Sequence, residues 1–98
     1  MSDTDATLEA FRAELERARE KYPNPNATLA ALVEEVGELA RAVADESRER
    51  VRAEAIQVGA MALRIILDGD GTLREWRAAR GLDALVEGEA ADDVDIMT

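Results

Sequence analysis

The apolar residues of this chain recur in helical period, and little else in it can build a core. Leu8, Phe11, Leu15, Ala18 and Tyr22 fall three and four residues apart, the stripe of a helix packed on one side. Leu29, Leu32, Val36, Leu39 and Val43 repeat the spacing, with Val33 and Ala40 widening it. Phe11, Tyr22 and Trp76 are the sole aromatics, so Leu, Val, Ile, Ala and Met must supply the interior. The β-branched residues do not alternate as a strand requires. The fold expected is all-α, a bundle of about four helices. A chain of 98 residues buries a limited core, and helical domains of this size often associate. The bundle is therefore expected to be completed by oligomerisation, as a homodimer or homotetramer.

The boundaries follow from local signals. The first helix is expected from about Asp5 to Lys21, stopped by Pro23-Asn24-Pro25. Asn26 offers a cap for the second, which runs from Ala27 to about Ala44. Asp45 to Arg50 carries no apolar side chain and reads as a short connection, with Ser47 capping a third helix from Arg48 to Leu67. That helix is apolar nearly all round, as a central helix buried on several sides would be. Asp68-Gly69-Asp70-Gly71 ends it. Read as a calcium loop, this run has Leu73 where Gly is needed and Ala79 where Glu is needed, so it reads as a helix stop. Thr72 to Glu75 has the form of a capping box opening a short fourth helix that ends at Gly81. Trp76 is expected to anchor that helix in the core, alongside Phe11 and Tyr22, and Leu82, Leu85 and Val86 to add a last turn. Residues 1–86 form the domain. Residues 87–98 are read as a disordered acidic tail.

Charge narrows the function classes. The net charge is −10, and five acids (Glu87, Glu89, Asp92, Asp93, Asp95) sit in the last twelve residues with no base among them. This balance argues against binding nucleic-acid backbones, which needs a basic surface. It leaves open a phosphate ligand held through a divalent ion, because the ion supplies the positive charge. The chain has no cysteine and no histidine, which excludes disulfides, thiolate chemistry, Cys/His zinc sites and histidine bases. The acidic, polar N-terminus does not read as a signal peptide. The run from Ala53 to Leu67 is interrupted by Glu54, Gln57 and Arg64 and is too short to span a bilayer. A cytoplasmic protein without a membrane partner is the expectation.

The polar residues of the second and third helices are arranged in pairs. Glu35-Val36-Gly37-Glu38 lies in one and Glu54-Ala55-Ile56-Gln57 in the next. Residues i and i+3 sit side by side on a helix. Two antiparallel helices would aim three carboxylates and one amide at a common point, a set of oxygen donors suited to a hard divalent cation. At 100° per residue, Glu35 lies about 100° and Glu38 about 160° from the centre of the apolar face of the second helix. Both are thus expected to point away from the first packing surface, toward solvent or a second, polar interface. On the third helix Arg50, Glu54, Gln57 and Arg64 form one stripe, with Met61 filling the gap. Charges on a helix otherwise buried are costly unless paired or metal-bound.

The run Leu32-Val33-Glu34-Glu35-Val36-Gly37-Glu38-Leu39-Ala40, followed by Glu54-Ala55-Ile56-Gln57-Val58-Gly59-Ala60-Met61-Ala62 and Asp68-Gly69-Asp70, resembles the MazG-like proteins of the all-α nucleoside triphosphate pyrophosphohydrolase superfamily. The resemblance covers about Thr28 to Asp70. It implies a Mg²⁺ site, with Mn²⁺ as a substitute, made from Glu-x-x-Glu and Glu-x-x-Asp. Glu35, Glu38 and Glu54 match three of those positions, and Gln57 stands at the fourth in place of Asp. It also implies hydrolysis of a nucleotide to the monophosphate and pyrophosphate. Glu34 is the candidate catalytic base, or else a surface acid paired with a nearby Arg. Arg64 is the candidate substrate contact, or else a structural ion-pair partner of the acids beside Glu54. Gln57 offers a carbonyl oxygen without charge. It leaves a second reading open, a weak or inactive helical module that binds or assembles, with Asp68 or Asp70 available to compensate if the helix end folds back.

Overall fold

The structure, a computed structural model, describes residues 2–86. It is a small all-α bundle of four helices: α1 (Asp3–Lys21), α2 (Thr28–Asp45), α3 (Arg48–Leu67) and α4 (Arg74–Ala79). The acidic tail expected from Glu87 onward lies outside the described residues. No described helix is long and apolar enough to cross a membrane.

Helix α3 is the shared element, packing against both α1 and α2. Its start is set by Ser47, whose hydroxyl accepts the Arg50 N–H at 3.1 Å, and its bounds are those expected from the sequence. Helix α1 begins two residues earlier than expected because Ser2 caps it, accepting the Asp5 N–H at 3.1 Å. The helices meet through small residues. Ala18, Ala42 and Ala60, one from each long helix, are buried together with Leu15. At Gly59, α1 presses close on α3. A Cβ there would lie 2.5 Å from the Phe11 ring, so Phe11 seats on bare α3 backbone.

The far end of α3 is a polar knot. Gly69, at φ +83°, closes the helix by donating to the Arg64 and Ile65 carbonyls, and a Cβ there would overlap the Leu85 carbonyl. Asp70 is buried and accepts the backbone N–H groups of Leu29 at 2.5 Å and Thr72 at 2.7 Å. A remote aspartate thus caps α2, where Asn26 was expected to. Ala27 occupies the N-cap position and supplies no side-chain bond. Burial opposes the charge on Asp70, but bonds from Thr72 and from the backbone N–H groups of Leu29 and Thr28 outweigh it and hold the carboxyl below its ordinary value.

Three expectations fail at the edge of the bundle. The Thr72 hydroxyl bonds the Asn26 carbonyl instead of closing a capping box, and α4 starts uncapped at Leu73. Trp76 and Tyr22 are about three-fifths exposed, each carrying a cation over its ring, Arg80 and Lys21 respectively. Leu82 to Val86 form no helical turn. The Arg77 guanidinium ties that segment back through the Asp83 carbonyl and carboxylate.

Candidate metal centre and adjoining cavity

Helix α2 does not bury the face its apolar stripe would suggest. Ala42 is buried, and Leu32, Glu35, Glu38 and Leu39 are half-buried on the side toward α3. Leu29, Val33, Val36 and Val43 are instead exposed. The expectation that Glu35 and Glu38 point away from the packing surface is thus overturned, in favour of the polar-interface alternative. Across from them, Glu54 on α3 is 3% exposed. Glu35, Glu38 and Glu54 each place a carboxylate oxygen within 4.8 Å of the others.

This cluster is short of positive charge. Arg50 reaches Glu54 Oε2 from one turn earlier on α3 and also holds Glu46. Glu54 Oε1 is buried with no hydrogen-bond partner. Its neighbour is another carboxyl, so a shared proton, a cation or a buried water must answer it. Burial, the close approach of the Glu54 carboxyl and the charges of Glu38, Glu54 and Glu34 push the Glu35 carboxyl up to about 7. Gln57, one turn along α3, is oriented by Glu35 alone. Its amide nitrogen donates to Glu35 Oε1 at 2.8 Å and Oε2 at 3.0 Å, which favours the Glu35 anion. A divalent cation fits this donor set: three carboxylates, one with a buried orphan oxygen, and an amide able to turn its oxygen inward.

A cavity of about 480 Å³ opens beside the cluster, in the range of small-molecule sites. Helix α1 and its C-cap contribute Arg17, Lys21 and Tyr22, α2 contributes Glu34 and Glu35, and α3 contributes Gln57, Met61 and Arg64. Glu34 is exposed on this wall, outside the three-carboxylate cluster, and has no ion pair with any described residue. Arg64 lies in the wall but is only 4% exposed. Its guanidinium is spent on the Ala18 and Tyr22 carbonyls at the end of α1 and on Asp68 Oδ2 at 3.1 Å. The acids beside Glu54 are served by Arg50 instead. Asp68 also takes a two-pronged bond from Arg19, at 2.7 and 2.9 Å. The Arg19 bond, opposed by burial and reinforced by Arg64, holds Asp68 below its ordinary value. Asp68 and Asp70 are therefore committed at the far end of α3 and do not join the cluster. Arg17 and Lys21 are cavity cations that the sequence reading missed. Both lie on the solvated Glu/Arg face of α1, and the only available signal was their place just before the Pro23-Asn24-Pro25 stop. Arg17 is held by Glu14. No family model, curated protein or solved structure matches the chain.

Proposed function

We propose that the protein is a divalent-cation-dependent nucleotide pyrophosphohydrolase, cleaving a nucleoside triphosphate or modified nucleotide to the monophosphate and pyrophosphate. One observation carries this reading: an undercharged three-carboxylate cluster with a buried orphan oxygen adjoins, through Glu35 and Gln57, a cavity of about 480 Å³. The resemblance of the Glu34 to Glu38 and Glu54 to Ala62 segments to MazG-like proteins points the same way. Glu35, Glu38 and Glu54 would hold Mg²⁺ or Mn²⁺, with Gln57 turning its amide oxygen to the site. A bound cation would offset phosphate charge and raise the acidity of a water. Glu34, on the cavity wall and without an ion-pair partner among the described residues, would accept that water's proton. Lys21 and Arg17 supply positive charge on the wall contributed by α1. Arg64 shapes the floor by holding the end of α1 in place, and its phosphate contact would need it to leave a carbonyl.

The test is incubation of the purified protein with canonical and modified nucleotides plus Mg²⁺, with pyrophosphate release as the readout. Release that is lost in Glu54→Gln supports the proposal. No release with any nucleotide counts against it. A second reading, a cation-binding or assembly module without turnover, is favoured by one feature: the Gln57 amide already donates to Glu35 where a fourth carboxylate would add charge. Cation binding without pyrophosphate release would select it.

A further inference from the structure

The outward face of α2 has no partner among the described residues. Leu29, Val33, Val36, Ala40 and Val43 are all exposed there and follow a heptad spacing of four and three, the seam of a paired helix. Val33 and Val43 are 62% and 66% exposed. Beside the seam run Ala30, Gly37 and Ala44, also exposed, at intervals of seven. Gly37 is the informative one. A glycine inside a helix costs about 1 kcal/mol relative to alanine, and a Cβ at Gly37 would meet nothing within 4 Å. The single chain gives no reason for its being bare.

Between Leu29 and Ala44 the charged residues on this exposed surface are Glu34 and Arg41. They have opposite sign, and neither is paired with a described residue. They stand evenly about the Gly37–Glu38 step. We propose that a second copy of this chain covers this face, with the two α2 helices antiparallel and crossing at Gly37. A single two-fold axis there satisfies every element at once. Val33 meets the partner's Val43, Val36 meets the partner's Ala40, and Gly37 lies beside the partner's Gly37, where the bare backbones allow close approach. Glu34 faces the partner's Arg41, and the reverse pair repeats by symmetry. A parallel pair would set Glu34 against the partner's Glu34, which like-charge repulsion disfavours. Because Glu34 also lines the cavity, the partner's Arg41 would stand at the cavity rim and orient that carboxylate.

The test needs neither cation nor nucleotide. Sedimentation equilibrium of the full chain is expected to give about twice the 10.7 kDa monomer mass. Arg41→Glu and Glu34→Arg should each raise the dimer dissociation constant about tenfold or more, and the double swap should restore it. The chain has no cysteine, so single cysteines report the register cleanly. Gly37→Cys should cross-link to a dimer on oxidation and Leu29→Cys should not. A monomer at 100 µM (an order-of-magnitude concentration, about that of a weak complex) would overturn the proposal. So would a dimer indifferent to both charge changes, cross-linking through Leu29→Cys, or a larger protein partner taking this face from a chain that stays monomeric alone. Far-UV circular dichroism of each variant confirms that it has folded.

Discussion

Helix α3 carries two charged clusters, and they are built to opposite rules. At its far end, Arg19, Arg64 and Asp68 form a closed set in which the guanidinium groups and the carboxylate meet named partners. At its near end, Glu35, Glu38 and Glu54 crowd within 4.8 Å, and Arg50 answers one oxygen of one of them. The first arrangement is self-sufficient and ties α1 to α3. The second is incomplete without a proton, a cation or a buried water. Buried charge is tolerated when it is paired; where pairing stops short, the missing charge points to a ligand.

The contrast is sharpest in mutants. Arg64→Met removes the buried guanidinium, strands the Tyr22 carbonyl, and should cost about 3 kcal/mol by urea denaturation. Asp70→Ala uncaps α2 from across the molecule and should cost about 2 kcal/mol, although Asp70 touches neither cavity nor cluster. Gly59→Ala forces the Phe11 ring off α3 and should cost about 1–2 kcal/mol. Glu54→Gln should behave in the opposite way. It relieves like-charge crowding and leaves folding nearly unchanged, yet weakens Mn²⁺ binding about tenfold or more by calorimetry. A comparable loss of stability in Glu54→Gln and Arg64→Met would erase the distinction between the two clusters.

The same contrast predicts two limbs in the pH profile. Asp68 and Asp70 sit below their ordinary 3.8 in the fold. Their stabilisation is present above that value and is lost as pH falls through their folded values. Glu35 is shifted the other way, from 4.5 up to about 7. Its stabilisation is complete below about 4.5 and is lost as pH rises through about 7. The cation-free protein should therefore lose stability on both sides, by thermal denaturation scanned across pH. Saturating Mn²⁺ should abolish the upper limb and leave the acid limb in place. A Gln57→Asp variant should steepen the upper limb without cation and bind Mn²⁺ more tightly, the smallest of these effects.

Much of this was legible beforehand, and for local reasons. Ser47 marks the start of α3, and the i, i+3 spacing of Glu35/Glu38 and Glu54/Gln57 puts each pair on one face whatever the surroundings. The orientation of α2 was not legible. Apolar periodicity alone turns Val36 and Val43 inward, whereas the folded chain turns Glu35 and Glu38 toward α3 beside Leu32, Leu39 and Ala42, leaving the valines outside. A chain optimised only for its own burial would not do this, which is why the pattern misled. The capping of α2 by Asp70 was hidden too, because the aspartate comes from 41 residues away from Leu29. The Thr72–Glu75 box looked sound locally and lost its Thr72 hydroxyl to the Asn26 carbonyl. Arg64 lay on the polar stripe that suggested a ligand contact, and nothing in its spacing signalled that the end of α1 would claim it.

Anomalous scattering from a crystal grown with millimolar Mn²⁺ bears most directly on the undercharged cluster. The expected result is a peak within about 2.5 Å of an oxygen from each of Glu35, Glu38 and Glu54, weakened in Glu54→Gln crystals grown at the same Mn²⁺ concentration. A map with no density among these three side chains at saturating Mn²⁺, with the Glu35 and Glu54 carboxyls still facing one another, would contradict the account.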